Sequence, residues 1–162
     1  TQGRYRPART PVDAIPPRSR RDFVTQVDFY VLPKDGSLTL AQAIGRIAEK
    51  AVSKGHRVFI HAADKTEAAD IQRGLWTFRP QSFLPSALLE SHDEEPVAIG
   101  WAEPGLDHDD VLLNVTGAVP GYFSRFRRLA EIVPQDEAKL AASRDAWRFY
   151  RDRGYPLAKH DL

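Results

Sequence analysis

The sequence has no cysteine among its 162 residues. Disulfides, thiolate zinc sites and cysteine nucleophiles are therefore excluded, and a reducing compartment is permitted. No apolar run approaches the roughly 20 residues of a membrane span, and no apolar secretory core leads the chain, so the expected location is the cytoplasm. Glycine is scarce where nucleotide chemistry needs it. Neither G-x-x-x-x-G-K-S/T nor G-x-G-x-x-G occurs, and the first strand-to-helix junction, "LPKDGSLTL", holds one glycine. Backbone N–H groups have little room there to approach a phosphate, and no cofactor is expected. A G-x-S-x-G elbow is missing too, and the five histidines (56, 61, 92, 108, 160) have no evident serine partner. The acidic run "DHDD" (107–110) splays its side chains alternately in an extended loop and reads as a solvated turn rather than a metal site. His92 with Asp93, Glu94 and Glu95 reads the same way. Catalytic and metal-ligating residues are thus expected to be none.

What is present is unevenly distributed. The net charge is +1, but residues 1–22 hold six arginines against Asp13 and Asp22, which leaves a slightly acidic remainder. Four prolines and few aliphatics in that stretch cannot build a core, so it reads as a basic arm ahead of a single domain over residues 23–162. Such an arm can meet an acidic partner or nucleic acid by electrostatics, or serve as a plain extension.

From there the pattern is orderly. "VTQVDFYVL" alternates as a strand ending near Pro33. "SLTLAQAIGRIAEKAVSKG" reads as a helix capped by Ser37 or Thr39, apolar at Leu40, Ala43, Ile44, Ile47, Ala48 and Ala51, and stopped by Gly55. "HRVFIHAA" is a second strand, and "DKTEAADIQRGLW" a second helix capped by Asp64 with Glu67 three residues on. Strand, helix, strand, helix implies a parallel pair with a crossover, hence an α/β class. "PVAIGWA" and "DVLLNVT" are strand-like and close enough for an antiparallel hairpin. "GYFSRFRRLAEIV" opens with a helical turn and ends in a strand-like piece, and a last helix starts near Gln135 or Asp136. The expected fold is a mixed, mostly parallel sheet flanked by helices, Rossmann-like without a nucleotide site.

Two stretches do not fit a bland surface. "GLWTFRPQSFLP" (74–85) carries Trp76, Phe78, Phe83 and Leu84 with two prolines and no clear period, so it reads as a loop. Its apolar groups either form a satellite core or a protein-binding patch. In "SRDAWRFYRDRGYP" (143–156), Arg144, Arg148 and Arg151 fall on one helical stripe with Trp147 among them, opposite Ala138, Ala142, Ala146 and an anchoring Phe149. That stripe is either a solvated face or a receptor for an acidic partner.

Taken in order, "VDFYVL", "KGHRVFIHAAD", "LWTFRPQSFLP", "PVAIGW" and "IVPQDEAKLAASRDAWRFYRDRGYPL" make residues 24–157 resemble the chi subunits of bacterial DNA polymerase III. The resemblance implies a non-enzymatic clamp-loader accessory of Rossmann-like fold with two contacts. One is with the small psi subunit and falls on Trp76 and Phe83. The other is with the acidic C-terminal tail of single-stranded-DNA-binding protein and falls on Val133, Arg144, Trp147, Arg148 and Arg151. A repair helicase is a further implied partner, and DNA is met mainly through these proteins. Against the family pattern, Leu140 stands where a lysine is expected, and Arg79 and Ser86 where an acid and a histidine are expected. The alternatives are a nucleotide-dependent enzyme on the same scaffold, or single-strand nucleic-acid binding through the arm.

Overall fold

The computed structural model describes residues 24–78, 86–88 and 96–162. The arginine arm, Phe83, Leu84 and the acidic run at His92 lie outside them. The strands are β1 (Gln26–Val31), β2 (Val58–His61), β3 (Ser86–Leu88), β4 (Val97–Gly100), β5 (Val111–Asn114), β6 (Arg128–Val133) and β7 (Leu157–Asp161). The helices are α1 (Leu40–Ser53), α2 (Lys65–Phe78) and α3 (Glu137–Asp152). All seven strands lie in one sheet in the order β3-β4-β2-β5-β6-β1-β7, and its six pairings are parallel.

A parallel sheet needs cover on both faces, and the side-chain period of two divides its residues between them. Val58, Ile60, Val97, Ile99, Leu113 and Ile132 join Ile44 and Ala48 of α1 and Ala68, Ile71 and Leu75 of α2. Phe59, Ala98, Leu112, Leu129, Val133, Val27 and Phe29 join Ala146 and Tyr150 of α3, with Phe123 and Phe126 from the connection before β6. The result is three layers with two cores, matching the expected α/β class.

Local chemistry explains the helix ends. Thr39 caps α1: its hydroxyl accepts from the Gln42 N–H at 3.2 Å, and the Gln42 side chain accepts from the Thr39 N–H at 2.9 Å. Gly55, with φ of 88°, takes the left-handed turn that ends the helix. Asp64 accepts from the Glu67 N–H at 2.8 Å, while the Glu67 carboxylate reaches back to the Ala63 N–H at 2.7 Å.

Several expectations are corrected. β4 and β5 form no hairpin, because β2 stands between them and pairs with both in parallel. β1 and β2 are not neighbours either, since β6 and β5 separate them. Gly74–Trp76, shared by the helix and loop readings, are helical, and Thr77 and Phe78, read as loop, continue α2. In α3 the buried seam is Ala146 and Tyr150, while Ala138 is exposed and Phe149 only half-buried. Phe149 instead faces Phe123 edge-on and carries the Arg153 guanidinium 3.7 Å above its ring.

Candidate functional site

The last helix is held in place at its N-terminal end and from beneath. Asp136 caps it by accepting from the Lys139 N–H at 3.0 Å. Lys139 then turns away from the exposed face, donating to the carbonyls of Val115 and Thr116, each at 3.0 Å. Below the helix, the Tyr150 hydroxyl donates to Glu131 Oε2 at 2.6 Å, and the Asn114 amide donates to Glu131 Oε1 at 2.9 Å. Burial pushes the Glu131 carboxyl up to about 7, against the two hydrogen bonds and the Lys139 charge, which favour ionisation. Burial and then the Glu131 charge hold the Tyr150 phenol far above its ordinary range.

So fixed, α3 leaves the end of the sheet uncovered and forms a groove of about 610 Å³ against it. The floor is Val133 of β6 with Phe29 and Val31 of β1; Leu140 and Trp147 of α3 make the wall. Trp147 meets Phe29 edge to face, with ring centroids 5.2 Å apart. The rim carries Arg144 and Ser143 from α3, Lys34 and Gln135 from the loops after β1 and β6, and Lys159 and Asp161 from β7. Three cations against one carboxylate give the groove a positive charge.

Of the residues that the sequence assigned to an acidic-tail contact, Val133, Arg144 and Trp147 line this groove together. Arg148 and Arg151 do not line it. At about 100° per residue, Arg148 faces away from the Ala146–Tyr150 seam, and it is paired with Asp145 one turn back. Arg151 is exposed and pairs with Asp152 at 3.0 Å. Lys159 and Asp161 were missed, because "LAKHD" is too polar and short to announce a strand, and Lys34, because its loop borders the groove only once α3 is seated. Among the residues assigned to the psi contact, Trp76 projects from the last turns of α2 with 54% of its surface exposed. Phe83 lies outside the described residues.

The acidic run at 107–110 has structural work. Asp110 accepts from the Arg57 N–H and lies 3.1 Å from His56 Nδ1, while Arg125 donates to the carbonyls of Pro104, Gly105 and His108. Among the described residues, no cluster of three or more histidine or acidic side chains is placed to hold a metal ion, and no helix is long and apolar enough to cross a membrane.

An apolar floor with an aromatic wall and a guanidinium at the rim can receive an apolar side chain beside a carboxylate. Comparison with known proteins adds a family to this geometry. The model of the family described as DNA polymerase III chi subunit, HolC, matches residues 24–158. The DNA polymerase III subunit chi of Pseudomonas aeruginosa is 42% identical over 139 residues, covering 86% of this chain and 98% of the relative. Those of Haemophilus influenzae and Escherichia coli are each 25% identical, over 83% and 80% of this chain and 95% and 92% of the relatives. The chain belongs to the family of DNA polymerase III chi subunits.

Proposed function

We propose that this chain is a replisome adaptor that links the clamp loader, through psi, to the acidic C-terminal tail of single-stranded-DNA-binding protein. Family membership makes it an accessory subunit of a replication polymerase rather than a catalytic one. The finer reading rests on one observation above all: Arg144 stands at the rim of an apolar groove walled by Trp147 and floored by Val133. A tail ending in an apolar residue offers a ring or aliphatic group for the floor and a free carboxylate for the guanidinium. One charge-assisted pair plus one buried side chain, less the cost of ordering a peptide, gives micromolar affinity. Several tails on one oligomer then add avidity. The psi contact is proposed for the surface around Trp76, a large aromatic side chain with more than half its surface exposed.

The test is titration of a fluorescent acidic peptide with an apolar C-terminal residue, at two salt concentrations, against the wild type and Arg144→Ala. Micromolar binding that weakens with salt and falls at least tenfold in the variant is expected. Equal binding by both proteins, or none by the folded wild type, overturns the reading. Amidating the peptide's terminal carboxylate is expected to mimic the arginine variant.

A further inference from the structure

The groove does not end at its apolar floor. Parallel register sets Phe29 beside Lys159 and Val31 beside Asp161, so these β7 side chains share the sheet face that α3 only partly covers. Across the next pairing, Val31 stands beside Val133. One row of the floor therefore runs Val133, Val31, Asp161 and passes from apolar to charged at the sheet edge. Lys159 Nζ lies 3.6 Å from Asp161 Oδ1, both side chains largely in solvent. Lys34, from the loop after β1, joins them on the groove lining. Leu140, by contrast, brings no charge to the wall, and Lys139 is held by the Val115 and Thr116 carbonyls.

We infer that Lys159 and Lys34 form a second anionic subsite for the acidic peptide, and that Asp161 is a resident counterion which an incoming peptide carboxylate displaces from Lys159. This rests on the peptide-binding reading above and deepens it. Arg144 takes one carboxylate of an extended acidic peptide at the helix side, and the sheet edge takes another. The charge missing at Leu140 is supplied from a different element. Asp161 works against the peptide in two ways, by occupying Lys159 and by repelling an approaching acid. Its removal should therefore strengthen binding, whereas removal of either lysine weakens it.

The experiment titrates the same fluorescent peptide, and a version whose acidic residues upstream of the C-terminus are replaced by serine, against the full chain and four variants: Lys159→Ala, Lys34→Ala, Asp161→Asn and Arg144→Ala. Because exposed pairs act weakly, shifts of about threefold at low salt are expected. Lys159→Ala and Lys34→Ala should weaken the acidic peptide and leave the serine peptide unchanged. Asp161→Asn should strengthen the acidic peptide, and Lys159→Ala should reduce that gain, leaving the part due to relieved repulsion. If Arg144→Ala weakens binding while the lysine and Asp161 variants match the wild type, the second subsite is overturned and the first stands. If Arg144→Ala is also without effect, the peptide reading itself fails. A gain in Asp161→Asn that is equal for both peptides overturns the counterion role.

Discussion

Glu131 is the residue where burial and charge conflict most openly. The residue is 3% exposed, and its carboxyl receives two hydrogen bonds and is still pushed up to about 7. An unfolded chain releases the same proton near the ordinary value of 4.5. Between those values the folded state binds more protons than the unfolded one, so this group makes stability fall as pH rises. Below about 4.5 the penalty is absent, and above about 7 it is complete, on the order of 3 kcal/mol. Glu131→Gln isolates the effect: the amide keeps an oxygen for the Asn114 donor and offers its N–H to the Tyr150 oxygen. Denaturant unfolding of both proteins from pH 4.5 to 8 should show the wild type losing stability relative to the variant as pH rises. A constant difference across that range would mean that the carboxyl titrates alike in both states. Other residues were legible only in part. The sequence put Arg144, Arg148 and Arg151 on one stripe with Trp147, but only Arg144 and Trp147 line the groove, and which arginines do depends on how α3 seats. That seating is fixed by Tyr150 reaching Glu131, a pairing 19 residues apart with no periodic signature.

At the scale of elements, caps and periodicity disclosed α1, β2, the start of α2 and the start of α3, because each of these signals is local. Strand order was not legible. A parallel neighbour is chosen by which faces remain uncovered after distant segments pack, so adjacency in sequence misled at both β1–β2 and β4–β5. The sequence read Gly74–Trp76 both as the end of α2 and as the start of a loop, and a glycine that costs about 1 kcal/mol in a helix does not decide between them. Its value here is tertiary. A Cβ on Gly74 would sit 2.8 Å from the Cβ of Ala41, so the bare backbone is what lets α1 and α2 approach. Gly74→Ala gains helix propensity but overpacks that contact, and a net loss of roughly 1 kcal/mol is expected. A double-mutant cycle with Ala41→Gly checks the cause, because removing the facing methyl should relieve the clash. Coupling of about 1 kcal/mol or more between the two sites supports the close approach; additive effects would place the cost elsewhere.

At the scale of the whole molecule, the sheet is a partition. α1 and α2 cover one face and α3 the other, with separate apolar clusters against each. Trp76, exposed on α2, and the groove under α3 thus belong to opposite layers. An adaptor of the proposed kind has to hold two partners at once, and a stiff seven-stranded sheet between its two surfaces keeps one from distorting the other. The consequence is independence: Trp76→Ala should weaken capture of psi by tenfold or more while leaving acidic-peptide affinity within twofold of wild type, and Arg144→Ala should do the reverse. Calorimetric titration of the peptide into the chain alone and into its psi complex closes the cycle. Equal affinities are expected, since a ligand that makes no differential contact with the two states cannot shift either. A peptide affinity that changes several-fold when psi is bound would show that the sheet transmits strain between its faces, and the chain would then be a coupled switch rather than a passive link.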